Sequence, residues 1–173
     1  MKKTISILIA AVFMLLALAG CGNSDVPDGM IRASTEADSF DFFVPKAWTV
    51  NNGTGTASAY YSSSDKSNVS FVAILEDTDM ADFDGYLDKA DKSFSSVLTG
   101  YSGISEKKNV KLCGADAISF EYSATSDGTE YRFLQAVTFK GHSFYVFTYT
   151  AKADVFESHL DDVATIMENV RFK

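Results

Sequence analysis

Three observations predict an α+β fold in which an antiparallel sheet is sandwiched between helices. The segments 115–124, 130–139 and 143–151 are rich in aromatic and β-branched residues and are joined by short turns, which is typical of a three-stranded meander. Two other segments repeat apolar residues at helical spacing. Residues 69–75 are apolar on both alternating sets, so this strand is expected to be covered on both faces.

The strands before residue 69 are predicted to be short. Residues 39–44 (SFDFFV) are aromatic and β-branched, and Pro45 ends the segment because proline forces its predecessor into an extended conformation. Residues 48–50 continue the strand pattern. A second strand is predicted at 57–62, after a turn cluster at 51–55.

Each predicted helix has one apolar stripe. Asp79 or Asp82 can cap the start of the first helix, and Gly100 can end it. The second helix is predicted to open at Asp154. Both stripes are expected to be core: Phe83, Tyr86, Leu87, Ala90, Phe94, Val97 and Leu98 in the first, and Phe156, Leu160, Val163, Met167 and Val170 in the second. Between the helices, residues 104–112 carry three lysines, which is typical of an exposed edge strand.

Composition excludes several classes of protein. The 173 residues are 46% hydrophobic and 22% charged, an ordinary balance for one globular domain. Asp and Glu total 23 against 15 Lys and Arg, so the net charge is −8. Nucleic acid is not an expected partner, because its phosphates require clustered cations. Two cysteines and two histidines leave no disulfide framework and little for zinc, and no cofactor is expected.

Residues 1–20 have the layout of a secretory signal peptide. A short positive segment is followed by residues 4–18, which carry no charge, and by small residues directly ahead of Cys21. The apolar run is shorter than the roughly 20 residues that span a bilayer, so a transmembrane helix is the less favoured alternative.

The four residues 18–21 (LAGC) resemble the lipobox of bacterial lipoproteins. The resemblance implies that the Cys21 thiol receives a diacylglyceryl group and that the peptidase cleaves before it. Two acyl chains give stable anchoring, whereas anionic headgroups would repel an acidic body. The expected location is the extracytoplasmic face of a bacterial cell membrane. The alternative is a secreted protein with a chance cysteine at the cleavage site.

The mature chain is predicted to divide into a tether and one domain. Residues 21–38, the lipidated cysteine and its flexible tether, are polar and contain Pro27 without an apolar period. Folding is expected to begin near Ser39. A domain over 39–173 can bury about two-thirds of its unfolded surface, so it needs no metal or disulfide to fold.

Residues 40–48 (FDFFVPKAW) resemble the opening strand and the VP-x-x-W turn of the PsbP-like superfamily. The second half is also similar, in its hairpin strand at 144–150, a helix carrying Phe156 and a terminal NVRF at 169–172. The resemblance implies an antiparallel sheet between helical layers and a protein that acts by binding other proteins. The superfamily includes photosystem II subunits, a Ran-binding protein and bacterial lipoproteins. It supplies no catalytic residue, and this acidic chain lacks the basic surface of the plant photosystem subunits.

An acidic run raises the question of calcium. An EF-hand loop starting at Asp77 would place Ala81 at position 5 and Asp82 at the turn position, where glycine is required. The pattern therefore fails, and acids that complement a helix dipole are the favoured interpretation. Weak calcium binding at Asp77, Asp79, Asp82 and Asp84 stays open as the alternative.

No catalytic group of residues is evident. Cys113 is expected to be a small buried hydrophobe. A zinc site would require His142, His159 and Cys113 to converge by chance. The segment 100–103 superficially resembles a nucleophile elbow, but Ile104 stands where glycine is required. The sequence therefore predicts no enzyme.

The expected function is that of a protein-binding accessory module held at the membrane through Cys21, with an unidentified extracytoplasmic protein as its partner. The alternative is a small-ligand-binding lipoprotein with a pocket between helix and sheet. Tyr60 and Tyr61, the polar loop 62–68 and the turn at 127–128 are the candidate partner surfaces, because turn-forming segments lie at the surface and rigid aromatic rings suit recognition.

Overall fold

The computed structural model describes residues 26–51, 56–75 and 82–173. In this part of the chain the strands are β1 (Met30–Arg32), β2 (Phe40–Asp41), β3 (Phe43–Pro45), β4 (Thr49–Asn51), β5 (Ala57–Tyr60), β6 (Asn68–Leu75), β7 (Lys108–Leu112), β8 (Ala115–Ser126), β9 (Thr129–Lys140), β10 (Ser143–Lys152) and β11 (Arg171–Phe172). The helices are α1 (Phe83–Val97) and α2 (Leu160–Asn169), and a 3-10 turn at Phe156–His159 leads into α2.

A seven-stranded antiparallel sheet in the order β4-β5-β6-β10-β9-β8-β7 organises the molecule. The predicted meander forms its long centre, and the lysine-rich strand β7 lies at an edge, as expected. Two small ribbons accompany the sheet: β1 pairs with β3 within the N-terminal part, and β11 pairs with β2, which joins the end of the chain to the start of the described residues. The prediction of an α+β fold with an antiparallel sheet is confirmed.

Tight turns connect the meander. At the β8–β9 turn, Asp127 and Gly128 both have positive φ, 48° and 75°, which matches the right-handed twist of a hairpin. Cys113 and Gly114 have the same combination, 55° and 75°, between β7 and β8. The prediction that Cys113 is a buried hydrophobe was therefore incomplete, since the turn leaves its side chain half-buried. Burial still raises the pKa of this free thiol to about 12.

Each face of the sheet carries its own apolar cluster. The first cluster lies under α2 and the short N-terminal strands, and its largest fully buried members include Trp48, Phe42, Phe43, Phe71, Phe147, Tyr149, Phe156 and Ile166. The second lies under α1 and is built from Ile118, Phe120, Tyr122, Val137, Phe144 and Val146. Helices on both faces follow from these two clusters, because each apolar face needs a cover.

The folded part begins before Ser39, which corrects the predicted extent of the tether. Strand β1 pairs with β3, and the side chains of Met30 and Ala33 are only 5% and 7% exposed. The sequence showed no apolar period here because a three-residue strand is too short to display one. Residues 1–25, to which the predictions of a signal peptide and of an anchor at Cys21 apply, lie outside the described residues.

Three predicted core positions are exposed, and in the stripe predicted for α1 only Ala90 is buried, since Phe83, Tyr86, Leu87, Phe94 and Leu98 are half-buried. Val97, at the end of α1, is 72% exposed, and Leu75, at the end of β6, is 84% exposed together with its neighbour Ile74. The strand is thus covered on both faces only in its first half. In α2, Leu160 and Met167 are half-buried, whereas Ile166, which the predicted stripe omitted, is fully buried.

Asp82 is the N-cap of α1, as the sequence allowed. Its carboxylate accepts a hydrogen bond from the backbone N–H of Asp84 at 3.0 Å. The helix ends at Val97, and Gly100, with φ of 62°, follows in the connecting segment. Asp77 and Asp79 lie outside the described residues.

Candidate functional site

Two exposed aromatic rings stand where β5 ends. Tyr60 and Tyr61 are 40% and 39% exposed, and both count among the exposed large hydrophobic side chains. Tyr60 is the last residue of β5, and Tyr61 begins the bend that follows it. We call the exposed surface of Tyr60 and Tyr61, with the loop 62–67 beside them, the tyrosine patch.

The loop of the tyrosine patch is ordered by its own polar groups. The backbone N–H of Tyr61 donates to the carbonyl of Ser67 at 2.9 Å, which closes the loop at its base. Asp65 accepts from the backbone N–H of Ser67 at 2.9 Å, and the Ser62 hydroxyl accepts from the backbone N–H of Asp65 at 3.2 Å. Lys66 takes a positive φ of 66° to complete the turn.

A buried histidine attaches this loop to the C-terminal helical segment. The Nε2 atom of His159 lies 3.0 Å from Oδ2 of Asp65, and the histidine is only 7% exposed. Burial by itself would raise the pKa of Asp65, but the bonds with His159 and Ser67 outweigh it and lower that pKa. The Asp65 carboxylate is therefore stabilised in its charged form.

A tryptophan completes the support of the patch. The indole Nε1–H of Trp48 donates to Oδ2 of Asp162 at 2.8 Å, and Trp48 is 2% exposed. The Tyr61 ring lies 4.2 Å from the His159 ring and 5.8 Å from the Trp48 ring, centroid to centroid. One face of Tyr61 is thus held against buried rings while the rest is exposed, so the ring is positioned before any partner arrives.

The sequence placed Trp48 and His159 in separate elements and did not bring them together. The sequence suggests only one role for His159, a zinc site that would need His142 and Cys113 to converge with it by chance. Within residues 26–51, 56–75 and 82–173, no group of three or more His, Cys, Asp or Glu side chains could hold a metal ion. The sequence gives little indication that Asp65 and His159 form a pair, because the two residues are separated by 94 positions.

The segment that resembles a nucleophile elbow has a structural role. Ser102 Oγ accepts from the backbone N–H of Ser123 at 2.7 Å, and Ser105 Oγ accepts from that of Glu121 at 2.8 Å. Backbone bonds from Ser102 and Ser105 back to β8 complete the pairing. This segment therefore covers the part of the β8 edge that β7 does not reach.

A second candidate site is a cavity of about 330 Å³ between α2 and the sheet, which we call the α2 groove. Val110 and Leu134 of the sheet and Val163 of the helix form apolar walls. The half-buried Leu160 and Met167, which the sequence assigned to core, line the same space.

Family and fold comparisons agree with this architecture. An antiparallel meander sheet with a helix on each face defines a PsbP-like class of α+β domain. The family model for PsbP matches residues 28–172, so the chain belongs to the PsbP family. No curated protein matches the sequence.

Solved structures show the same fold at low sequence identity. CyanoP, the PsbP of the cyanobacterium Synechocystis, is 16% identical with a TM-score of 0.60, over 90% of this chain and 99% of CyanoP. The Ran-binding protein Mog1p of Saccharomyces cerevisiae is 8% identical with a TM-score of 0.57, over 83% of this chain and 95% of Mog1p. PA94 of Pseudomonas aeruginosa, a protein of unknown function, is 15% identical with a TM-score of 0.56, over 80% of this chain and 93% of PA94.

No helix within the described residues is long and apolar enough to cross a bilayer.

Proposed function

We propose that this chain is a lipid-anchored, extracytoplasmic member of the PsbP family that works as a protein-binding accessory module and catalyses no reaction. The anchor is Cys21, at the end of the lipobox-like residues 18–21. The domain that follows presents the tyrosine patch to a protein partner. Mog1p, which has the same fold, is named for binding Ran, and this supports a protein partner rather than a substrate.

The observation that carries the binding role is the supported exposure of Tyr61. Tyrosine is enriched at protein interfaces because its ring combines apolar area with a polar tip. A ring that is already held in place loses little conformational entropy when a partner covers it. The tyrosine patch has both properties, since Tyr61 is exposed on one side and packed on Trp48 and His159 on the other.

The anchor is tested by mass and by membrane partition. Intact-mass measurement of the membrane-extracted wild type is expected to show a chain that begins at Cys21 and carries diacylglyceryl and acyl mass. Cys21→Ser is expected to remain unprocessed. A chain that begins elsewhere, or an unmodified Cys21, would contradict the anchor.

The binding surface is tested by placing a photo-crosslinking amino acid at position 60 in cells. A single discrete adduct is expected from position 60, because Tyr60 is exposed and makes no ring contact that its replacement would break. The matched control places the same group at Lys92, on the exposed side of α1. An equal adduct pattern from both positions, or none from position 60, would contradict the patch as an interface.

A further inference from the structure

The α2 groove has a physical origin in the side chains beneath it. On the α2 face of the sheet, Ser119 of β8 lies beside Ala136 of β9, so two small side chains are neighbours there, and Lys108 of β7 lies on the other side of Ser119. Larger neighbours, Val110 on β7 and Leu134 on β9, stand to the sides. Small side chains under a helix leave space, and the space here is about 330 Å³.

The floor of the groove holds a polar group that has no partner. Ser119 is only 8% exposed, lines the groove, and its hydroxyl makes no hydrogen bond with any described residue. The hydroxyl opens into the groove, so it is free to form a hydrogen bond with a ligand atom there.

The mouth of the groove carries unpaired charge of both signs. Lys108, Glu106 and Glu168 all line it, and none forms an ion pair with a described residue. The other two charged lining residues are already neutralised. Lys111 lies 2.6 Å from Asp116, and Glu121 lies 2.7 Å from Arg132.

We propose that the α2 groove binds a small zwitterion with an apolar body, of the class of a free apolar α-amino acid. The apolar side chain lies between Leu134 and α2, the carboxylate meets Lys108 and the Ser119 hydroxyl, and the ammonium meets the free carboxylates of the mouth. This site lies on the sheet and α2, separate from the tyrosine patch, and the inference does not depend on the proposed protein partner.

Charge and size favour a zwitterion over a simple carboxylate or a simple amine as the ligand. A net charge of −8 repels a simple carboxylate before it reaches the groove, and an amine alone leaves Lys108 and Ser119 without a partner. A zwitterion carries no net charge and satisfies both signs. A volume of about 330 Å³ falls at the small end of ligand pockets, which suits a single amino acid.

The test measures equilibrium binding to the full-length chain in lipid nanodiscs, with empty nanodiscs as the blank. The probes are L-leucine, 4-methylpentanoic acid, which lacks the ammonium, and 3-methylbutylamine, which lacks the carboxylate. Saturable binding of L-leucine is expected, with each of the other two at least about tenfold weaker, since each leaves a charge unpaired. No saturable binding of L-leucine up to about 10 mM, or equal binding of all three probes, would overturn the proposal.

Variants locate the site. Lys108→Gln is expected to weaken L-leucine binding about tenfold, and Ser119→Ala about fivefold, with thermal melting confirming that both remain folded. Lys107→Gln is the matched control, because Lys107 is adjacent on the chain, pairs with Asp84 and does not line the groove. If Lys107→Gln weakens binding as much as Lys108→Gln, or if Lys108→Gln has no effect, the groove is not the site.

Discussion

Two buried rings beneath the tyrosine patch each bond a carboxylate. His159 bonds Asp65, and Trp48 donates to Asp162; both rings are buried and both carboxylates are half-buried. Groups of this kind are costly to bury alone, so each pair holds only while both partners are in place. The pairs fix the loop 62–67 against the segment that begins α2, and this positions Tyr61.

The Asp65 carboxylate makes stability depend on pH in a defined direction. Its pKa is lowered from 3.8 in the folded chain, so it contributes stability above about pH 4 and loses that contribution as the pH falls further. Denaturant unfolding of the wild type and Asp65→Asn, at several pH values between about 6 and 3, measures the effect. The wild type is expected to be the more stable at pH 6, and the difference is expected to shrink toward pH 3.

The control for this measurement is Asp154→Asn, an exposed carboxylate that accepts no hydrogen bond from any described residue. Its stability difference from the wild type is expected to stay small at every pH. A difference for Asp65→Asn that is independent of pH would show that its bonds do not favour the charged form.

At the scale of single elements, α2 separates a core face from a groove face. Ile166 is fully buried in the first cluster, while Leu160 lines the α2 groove and is half-buried. We expect Ile166→Ala to lower the free energy of unfolding by about 2–5 kcal/mol, because it leaves a cavity. Leu160→Ala is expected to cost less than about 2 kcal/mol, because it only widens existing space. Denaturant unfolding of both variants measures these losses. Equal losses of unfolding free energy would contradict the assignment of Ile166 to the core face and Leu160 to the groove face.

The segment that covers the β8 edge depends on a close backbone approach at Gly100. A Cβ at this position would lie 2.8 Å from the Thr125 hydroxyl oxygen, whereas a Cβ at Gly103 would meet nothing within 4 Å. Both glycines have positive φ, so alanine is strained at both by about 1 kcal/mol. Gly100→Ala is expected to lower the melting temperature clearly more than Gly103→Ala. The reverse order would show that the segment does not lie against β8 as described.

At the scale of the whole molecule, stability comes from two apolar clusters on one sheet. The sheet spans both, and the helices on its faces close them without a metal group among the described residues. Addition of a chelator to the full-length chain is therefore expected to change the melting temperature by less than about 2 °C. A fall of many degrees would indicate that the acidic run around Asp77, Asp79, Asp82 and Asp84 holds a structural cation. Magnesium-saturated chelator serves as the control for effects of the chelator itself.

The sequence alone predicted the elements that are long or that are bounded by residues with a strong preference for turns or helix caps. The meander β8–β9–β10, the Asp127-Gly128 turn, the N-cap at Asp82 and the edge position of β7 follow from residues close together in the sequence. Hydrophobic periodicity and turn propensity act over a few residues, so the sequence alone expresses them.

Only the tertiary structure decided which apolar residues became core and where a site formed. Periodicity identifies the side of a helix that faces the sheet. It does not show whether the sheet extends far enough to cover Val97, or whether a residue as small as Ser119 leaves space in the groove that Leu160 also lines. The pair of Asp65 and His159 and the early strand β1 depend on partners that are distant in sequence. Their stability comes from contacts that do not exist until the chain has folded, so no local pattern encodes them.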